Sequence, residues 1–171
     1  MKTMLCLLLL FCTPPLMASD WLRWHTVGRA TLSWGPFTLY DSQLLTPDGR
    51  WQPQRWPLAL VITYRRDISR QELLEATDEQ WQAQQIGSAP QRQRWLQQLS
   101  TLWPDVSNGD RLAFQADERG GQFFWQPAGT RTPIEPLEPR FDAAFRDAFL
   151  AIWLSEKTQY PDLRQQLTGD Q

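Results

Sequence analysis

Hydrophobic and polar positions change period several times along the chain, which predicts a mixture of strands and helices. The last long pattern is the most regular, because Phe141, Phe145, Phe149 and Trp153 recur every four residues. That spacing predicts a helix with one wide aromatic face. Its other side is expected to face water and carries Asp142, Arg146 and Asp147. Such a face needs a broad apolar partner, which strands earlier in the chain can supply. The contact between them is then either plain core packing or a cleft for an apolar ligand.

Strand-like segments dominate the first third of the chain after residue 20. Residues 24–33 and 37–45 read as two strands joined by a turn at Trp34-Gly35-Pro36. The continuous apolar run LALVITY, residues 58–64, is typical of a strand that is buried on both faces. The chain is therefore expected to begin with a hairpin and to continue into a central strand.

Two helices are predicted next. Ser69 and Glu72 form a capping box, so a helix begins there. Its apolar side is formed by Leu73, Leu74, Thr77 and Trp81, and Gly87 can close it. The second helix is expected over residues 91–103, where Pro104 ends it.

Another hairpin and two more helices complete the pattern. Residues 111–117 alternate between apolar and polar, and Gly120-Gly121 is expected to turn the chain into a strand at 122–126. A short strand at 131–134, the aromatic helix and a closing helix at 162–167 follow. Adjacent hairpins favour an α+β fold, an antiparallel β-sheet with a layer of helices packed on one face.

The first 19 residues have a different character and predict a secretory signal peptide. Lys2 precedes the short apolar run MLCLLLLFC, which is too short to span a bilayer, and two prolines and small residues follow it. Cleavage near Ser19 or Asp20 would leave residues 20–171 as one periplasmic or secreted domain, not stably inserted in a membrane. It would also remove Cys6 and Cys12, so disulfide, thiol and thiolate-metal chemistry would be excluded.

Composition narrows the chemistry further. The net charge is −2 and the basic residues are scattered, which argues against a nucleic-acid partner. One histidine, His25, does not suffice for a metal site, and no nucleotide-binding or nucleophile-elbow motif is present, so no metal or cofactor is predicted. Ten Trp indicate an aromatic interior or cleft.

One charged pair is a candidate site. Counting outward from Gly35, Arg29 would face Asp41 across the first hairpin. Such a pair is either a surface ion pair of little energetic weight or a paired charge on the floor of a cleft that orients a polar ligand group.

Three strings, GRATLSWGPFTLYDSQL, WPDVSNGDRL and AFRDAFLAIWLSEKTQYPDLRQQL, resemble the bacterial chalcone isomerase-like family over nearly all of residues 20–171. The wider superfamily includes plant chalcone isomerases and plant fatty-acid-binding proteins. The resemblance implies an antiparallel sheet covered by helices, with the ligand between the two layers.

The resemblance also implies roles for particular positions. Arg29 falls where the plant proteins have an arginine that meets the anionic part of the ligand. Asp41 and Leu73 stand where the plant enzymes have a catalytic Thr and a Tyr, and Gln80 replaces an Asn. The guiding arginine is kept and the hydroxyl network is not, although Tyr40 and Tyr64 supply other hydroxyls. Chalcone cyclisation is therefore not expected, because the groups that would hold the reacting ketone are replaced.

Three functions stay open at this point. The first is a non-catalytic binder of a small apolar or fatty-acid-like ligand, with Arg29 as its head-group anchor. Asp41 and the three residues Tyr40, Leu73 and Phe149 would border the ligand, together with Phe145. The second is an isomerase or lyase on an unknown substrate, using Arg29 as electrophile and Asp41 as base. The third is an envelope protein that binds a protein partner.

Overall fold

Six antiparallel strands form one sheet whose spatial order follows the chain from β1 to β6. The computed structural model describes residues 20–169, so the predicted signal peptide and the last two residues lie outside the described residues. The strands are β1 (His25–Trp34), β2 (Phe37–Thr46), β3 (Leu58–Tyr64), β4 (Arg111–Asp117), β5 (Gly120–Gln126) and β6 (Glu135–Asp142).

Four α-helices and a short 3-10 turn at Asp20–Arg23 accompany the sheet. The helices are α1 (Arg70–Ala83), α2 (Ala89–Leu102), α3 (Ala143–Leu154) and α4 (Pro161–Thr168). Ser69 caps α1 through the predicted capping box, and Ser88 and Asp142 cap α2 and α3 with their side chains. Each cap satisfies backbone N–H groups that a helix end leaves without partners. The predicted α+β class, with helices on one face of an antiparallel sheet, is confirmed.

The main core lies between the helices and one face of the sheet. Alternate strand residues such as Leu60, Ile62 and Phe114 point to this side and are at most 5% exposed. Trp81 of α1 is fully buried, and its indole N–H donates to the carbonyl of Ala148, 2.9 Å away. This bond ties α1 to α3 across the core.

The opposite face of the sheet is only partly covered. Trp21 of the 3-10 turn packs edge-on against Phe124, 5.4 Å between ring centroids, and Ile134 lies beside them. Towards the other end of the strands this face carries polar and charged side chains. We call it the open face.

The helix that carries the aromatic row differs from the prediction in two respects. Phe141 belongs to β6, because Asp142 caps the helix and α3 begins one residue later. Arg146 was expected to face water but is 7% exposed. Its guanidinium donates to the carbonyls of Asp117 and Glu118 and stacks 4.0 Å from the centre of the Trp56 ring. Those acceptors compensate for removing its charge from water.

Several boundaries are also corrected. The predicted short strand at 131–134 is wrong, since β6 runs over Glu135–Asp142 and its two prolines sit on the edge of the sheet, where an unpaired strand side tolerates them. The chain turns at Glu118 and Arg119, and β5 already includes the two glycines. Helix α1 ends at Ala83, four residues before Gly87. Within residues 20–169, no helix is both long and apolar enough to span a membrane.

Candidate functional site

A cavity of about 420 Å³ lies between the sheet and the helices, beside strands β1 to β4. Its floor is formed by side chains that are less than 9% exposed, among them Ile62, Leu112, Phe149 and Ile152. Residues preceding and within α1 form one side of it, and Tyr160, which precedes α4, closes another. Its size and mainly apolar walls are typical of pockets for small organic ligands.

A few polar groups interrupt these apolar walls. The indole N–H of Trp153 donates to the hydroxyl of Tyr40 over 2.9 Å, which leaves the Tyr40 proton available to an acceptor. Gln80 donates from its amide nitrogen to the hydroxyl of Tyr160 over 3.2 Å, and its amide oxygen is buried without a hydrogen-bond partner among the described residues. The buried indole nitrogen of Trp103, which also lines the cavity, likewise has none among them. The Tyr40 hydroxyl is thus the polar group that a ligand could pair with, whereas the two unpartnered atoms have almost no accessible surface.

Burial keeps two of the three tyrosines that line this cavity, Tyr40 and Tyr64, protonated. Loss of hydration raises the pKa of the Tyr40 hydroxyl far above its usual range, against a lowering by the Trp153 hydrogen bond. The pKa of Tyr64 is raised in the same way, first by burial and then by its neighbour Tyr40. Both hydroxyls therefore stay neutral at physiological pH, where they can donate hydrogen bonds but not act as bases.

The mouth of the cavity lies between the β1–β2 turn and the beginning of α1. Trp34, 74% exposed, stands on one side, and Glu72 and Ala76 of α1 on the other. Arg66 also lines the mouth, and it is the only cation among the described residues that border the cavity. Glu72 is held in the capping box, where hydrogen bonds from Ser69 lower its pKa. A carboxylate with a lowered pKa is a weak base.

The structure brings three of the six predicted site residues to this cavity. Tyr40, Leu73 and Phe149 all line it. Phe145 lies deeper, 1% exposed, inside the aromatic core beside Trp81. Whether any of these residues contacts a ligand stays a prediction. Gln80, which by the resemblance stands where the plant enzymes have an Asn, also lines the cavity.

Arg29 and Asp41 lie elsewhere, and the predicted pairing between them is wrong. Arg29 is opposite Gln43, and Asp41 is opposite Thr31. Two effects of one residue each displace the register: the turn is centred after Gly35, since Trp34 pairs with Phe37, and an irregularity follows between Leu32 and Ser33. Both charged residues also point to the open face. Ala30 and Leu32 pack into the core, so Arg29, which alternates with them along β1, points the other way, and Asp41 lines the same groove as Arg29. The expected position on the helix side of the sheet is therefore wrong as well.

On the open face, Arg29 and Asp41 line a shallow polar groove of about 340 Å³. Asp41 accepts a hydrogen bond from Thr31, 2.6 Å away, and forms an ion pair with Arg65. The Thr31 hydrogen bond and then Arg65 hold the pKa of Asp41 below its usual value, although partial burial opposes them. A substrate inside the cavity could not reach this carboxylate, since the sheet lies between them.

We predict that Asp41→Ala lowers the free energy of unfolding by less than about 1 kcal/mol at pH 7. The side chains of Arg65 and Asp41 are 49% and 36% exposed, so water replaces the lost partner. Because the folded-state pKa is lowered, the contribution of Asp41 exists above its unfolded pKa near 4 and fades as the pH falls through the folded value.

Urea titrations of wild type and variant at pH 7 and at pH 3 measure this difference, which should be smaller at pH 3. Thr63→Ala, a neutral change in the same groove, is the matched control. A loss of about 3–5 kcal/mol at pH 7 would contradict the prediction and indicate a buried charge pair.

Comparison with known proteins agrees with the fold. Residues 45–169 match the family model described as chalcone isomerase-like. The chain therefore belongs to the chalcone isomerase-like family, as its sequence predicted. It is also 28% identical over 152 residues to an uncharacterized protein of Haemophilus influenzae, and the match covers 89% of this chain and 71% of that protein.

Proposed function

We propose that the protein binds a small, elongated apolar molecule with a polar or anionic end, such as a fatty acid, in the cavity between sheet and helices. The observation that carries the proposal is the cavity itself, walled by buried apolar side chains and bordered by a cation only at its mouth. An apolar chain would lie on Ile62 and Phe149, and a carboxylate would stay near Arg66 in contact with water.

This arrangement changes the expected anchor of the ligand. The predicted anchor, Arg29, is on the open face, whereas Arg66 borders the mouth. Among residues 20–169 the Arg66 guanidinium makes no hydrogen bond or ion pair, so a ligand carboxylate would have to compete only with the charge of Glu72, whose pKa Arg66 helps to lower.

Binding is favoured over catalysis by the groups around the cavity. Leu73 supplies no hydroxyl, Tyr40 and Tyr64 stay neutral, and the pKa of Glu72 is lowered. None of these is suited to remove a proton at neutral pH. The predicted isomerase arrangement needs Arg29 and Asp41, which cannot reach a molecule inside the cavity.

We further propose that the ligand is met outside the cytoplasm, in the periplasm or beyond. The support is the signal-peptide pattern of residues 1–19, and the N-terminal sequence of the exported protein checks it.

We predict that Leu73→Trp weakens the binding of dodecanoate and of its methyl ester at least about tenfold, because the larger ring occupies the cavity. Arg66→Ala should weaken dodecanoate by about three- to tenfold and leave the uncharged ester unaffected. Titration of delipidated protein, followed by tryptophan fluorescence, measures both effects, since Trp34, Trp103 and Trp153 line the cavity.

Leu96→Trp is the matched control, because Leu96 is a half-buried helix residue that does not line the cavity. It should bind both probes as the wild type does. A flat titration with both probes in folded protein, or equal affinity in Leu73→Trp, would contradict the proposal. Turnover of a chalcone well above its spontaneous rate would favour the catalytic alternative.

A further inference from the structure

The β1–β2 hairpin extends beyond the rest of the sheet. The last pair between β2 and β3 is Tyr40 with Tyr64, so the segment from Trp34 to Thr38 is paired only within the hairpin itself. Its tip exposes two large aromatic side chains, Trp34 at 74% and Phe37 at 59%. These two rings stay hydrated, so the described chain gains no hydrophobic burial from most of their surface.

The composition of this hairpin is unusual for an exposed segment. The eleven residues from 30 to 40, ATLSWGPFTLY, contain no charged side chain. Their polar side chains include three small hydroxyls and the phenol of Tyr40, and cross-strand pairs satisfy much of the backbone. A hairpin of this kind can enter the headgroup region of a bilayer without taking a charge or many unpaired backbone groups with it.

Cations flank the hairpin where the neighbouring strand ends. Arg65 and Arg66 follow β3 directly, and the backbone N–H of Arg65 donates to the carbonyl of Leu39. Arg65 is already paired with Asp41. Arg66 makes no hydrogen bond or ion pair among residues 20–169, and its charge acts on Glu72, which is bound in its capping box. The Arg66 guanidinium, behind an uncharged aromatic tip, matches the phosphates that lie outside the acyl chains of a membrane.

We propose that the hairpin tip, defined here by Trp34 and Phe37, docks on the interface of a phospholipid bilayer. The Trp34 indole is favoured at that depth because it presents both an apolar body and an N–H donor, and the Phe37 ring adds apolar area that the acyl boundary can bury. Trp34 also borders the mouth of the cavity. If the proposed ligand binding holds, which is the basis of this last step, docking would let an apolar chain pass between bilayer and cavity without crossing water.

The test is co-sedimentation of the exported protein with vesicles of phosphatidylcholine and phosphatidylglycerol at three to one. We expect binding, and we expect Trp34→Ser with Phe37→Ser to reduce the partition coefficient at least about tenfold. Lipids with brominated acyl chains should quench the fluorescence of wild type more than that of Trp34→Phe. Circular dichroism establishes that each variant is folded.

Leu22→Ser is the matched control, because Leu22 is 47% exposed and lies in the 3-10 turn before β1, at the end of the strand opposite the tip. It should bind vesicles as the wild type does. Absence of wild-type binding, or equal binding by the double variant, would overturn the proposal. Concentration-dependent dimers that the double variant loses, without vesicle binding, would instead identify a second copy of the chain as the occupant.

Two further variants separate this proposal from ligand binding. Leu73→Trp should keep its affinity for vesicles while losing dodecanoate. Phe37→Ser, whose ring does not line the cavity, should weaken vesicle binding while keeping its affinity for dodecanoate in water. Loss of both properties in both variants would overturn the assignment of separate surfaces.

Discussion

Phe149→Ala is expected to lower the free energy of unfolding by about 3–5 kcal/mol, the range typical of deleting a buried aromatic ring. Phe149 is 2% exposed and lies where α3 meets the sheet. Its ring centre is 5.0 Å from those of Phe114 and Phe123 and 5.1 Å from that of Trp153. Two of these neighbouring rings are fixed on strands and the third on α3, so they cannot collapse fully into the space that Phe149 leaves.

Urea denaturation followed by circular dichroism measures this loss. Phe37→Ala is the matched control, because it removes the same ring from a site that is 59% exposed, and it should change stability by under about 1 kcal/mol. A loss in Phe149→Ala as small as in the control would mean that the ring does not bridge the helix layer and the sheet.

Phe149→Ala has a second expected consequence because the ring also lines the cavity. The cavity should become larger, so an apolar probe should still bind and should restore part of the lost stability by mass action. Thermal unfolding with and without methyl dodecanoate measures that recovery. It would be absent if the probe bound elsewhere.

The elements predicted most fully from the sequence are those in which the turn or capping residues and the apolar pattern indicate the same structure. Strands β3 and β4 have the predicted bounds, since each combines a buried pattern with turn signals on both sides. Helix α1 begins where the capping box places it. The fold class followed from these elements, because adjacent antiparallel pairs leave the helices no other apolar surface to cover.

Edge strand β6 was missed for a physical reason. Pro136 and Pro139 read as loop residues, because proline removes a hydrogen-bond donor from a strand. On an outer strand half of the backbone groups face away from the sheet, so that cost is small. The sequence alone does not show which strand lies at the edge.

The candidate site was predicted in part. Tyr40, Leu73 and Phe149 share the cavity because strand alternation and helix period direct them to the same layer. The same alternation carried a signal against Arg29, since Ala30 and Leu32, which alternate with it along β1, pack into the core, and Asp41 shares the face of Arg29. Arg66 was missed because it lies in a connection, where no period assigns a side chain to a face.

Gly28→Ala is expected to destabilise the protein by about 3 kcal/mol or more, at the upper end of the range for overpacking. Gly28 lies in β1 where the last turn of α4 approaches the strand. An added Cβ would overlap the backbone carbonyl oxygen of Gln166 and lie 2.6 Å from that of Leu167. Because backbone cannot rotate away as a side chain can, α4 would have to move as a unit.

Moving α4 would disturb both the core and the cavity. Leu163 and Leu167 of α4 are 5% and 0% exposed, so displacement would uncover apolar surface. Tyr160, directly before α4, lines the cavity and accepts a hydrogen bond from Gln80. We therefore expect Gly28→Ala to weaken dodecanoate binding as well as to lower stability, and to expose the end of the chain to limited proteolysis.

Gly129→Ala is the control for Gly28→Ala, because it tests the effect of a positive φ without a close approach of backbone. Gly129 has a φ of +69° and nothing within 4 Å of an added Cβ, so its substitution should cost only about 1 kcal/mol of conformational strain. It should also leave ligand binding and proteolysis near the C-terminus unchanged. Equal losses in the two variants would contradict the close approach of α4 to β1. A large loss in Gly28→Ala with early cleavage within α4 would instead show that this helix is held against the strand only because residue 28 has no side chain.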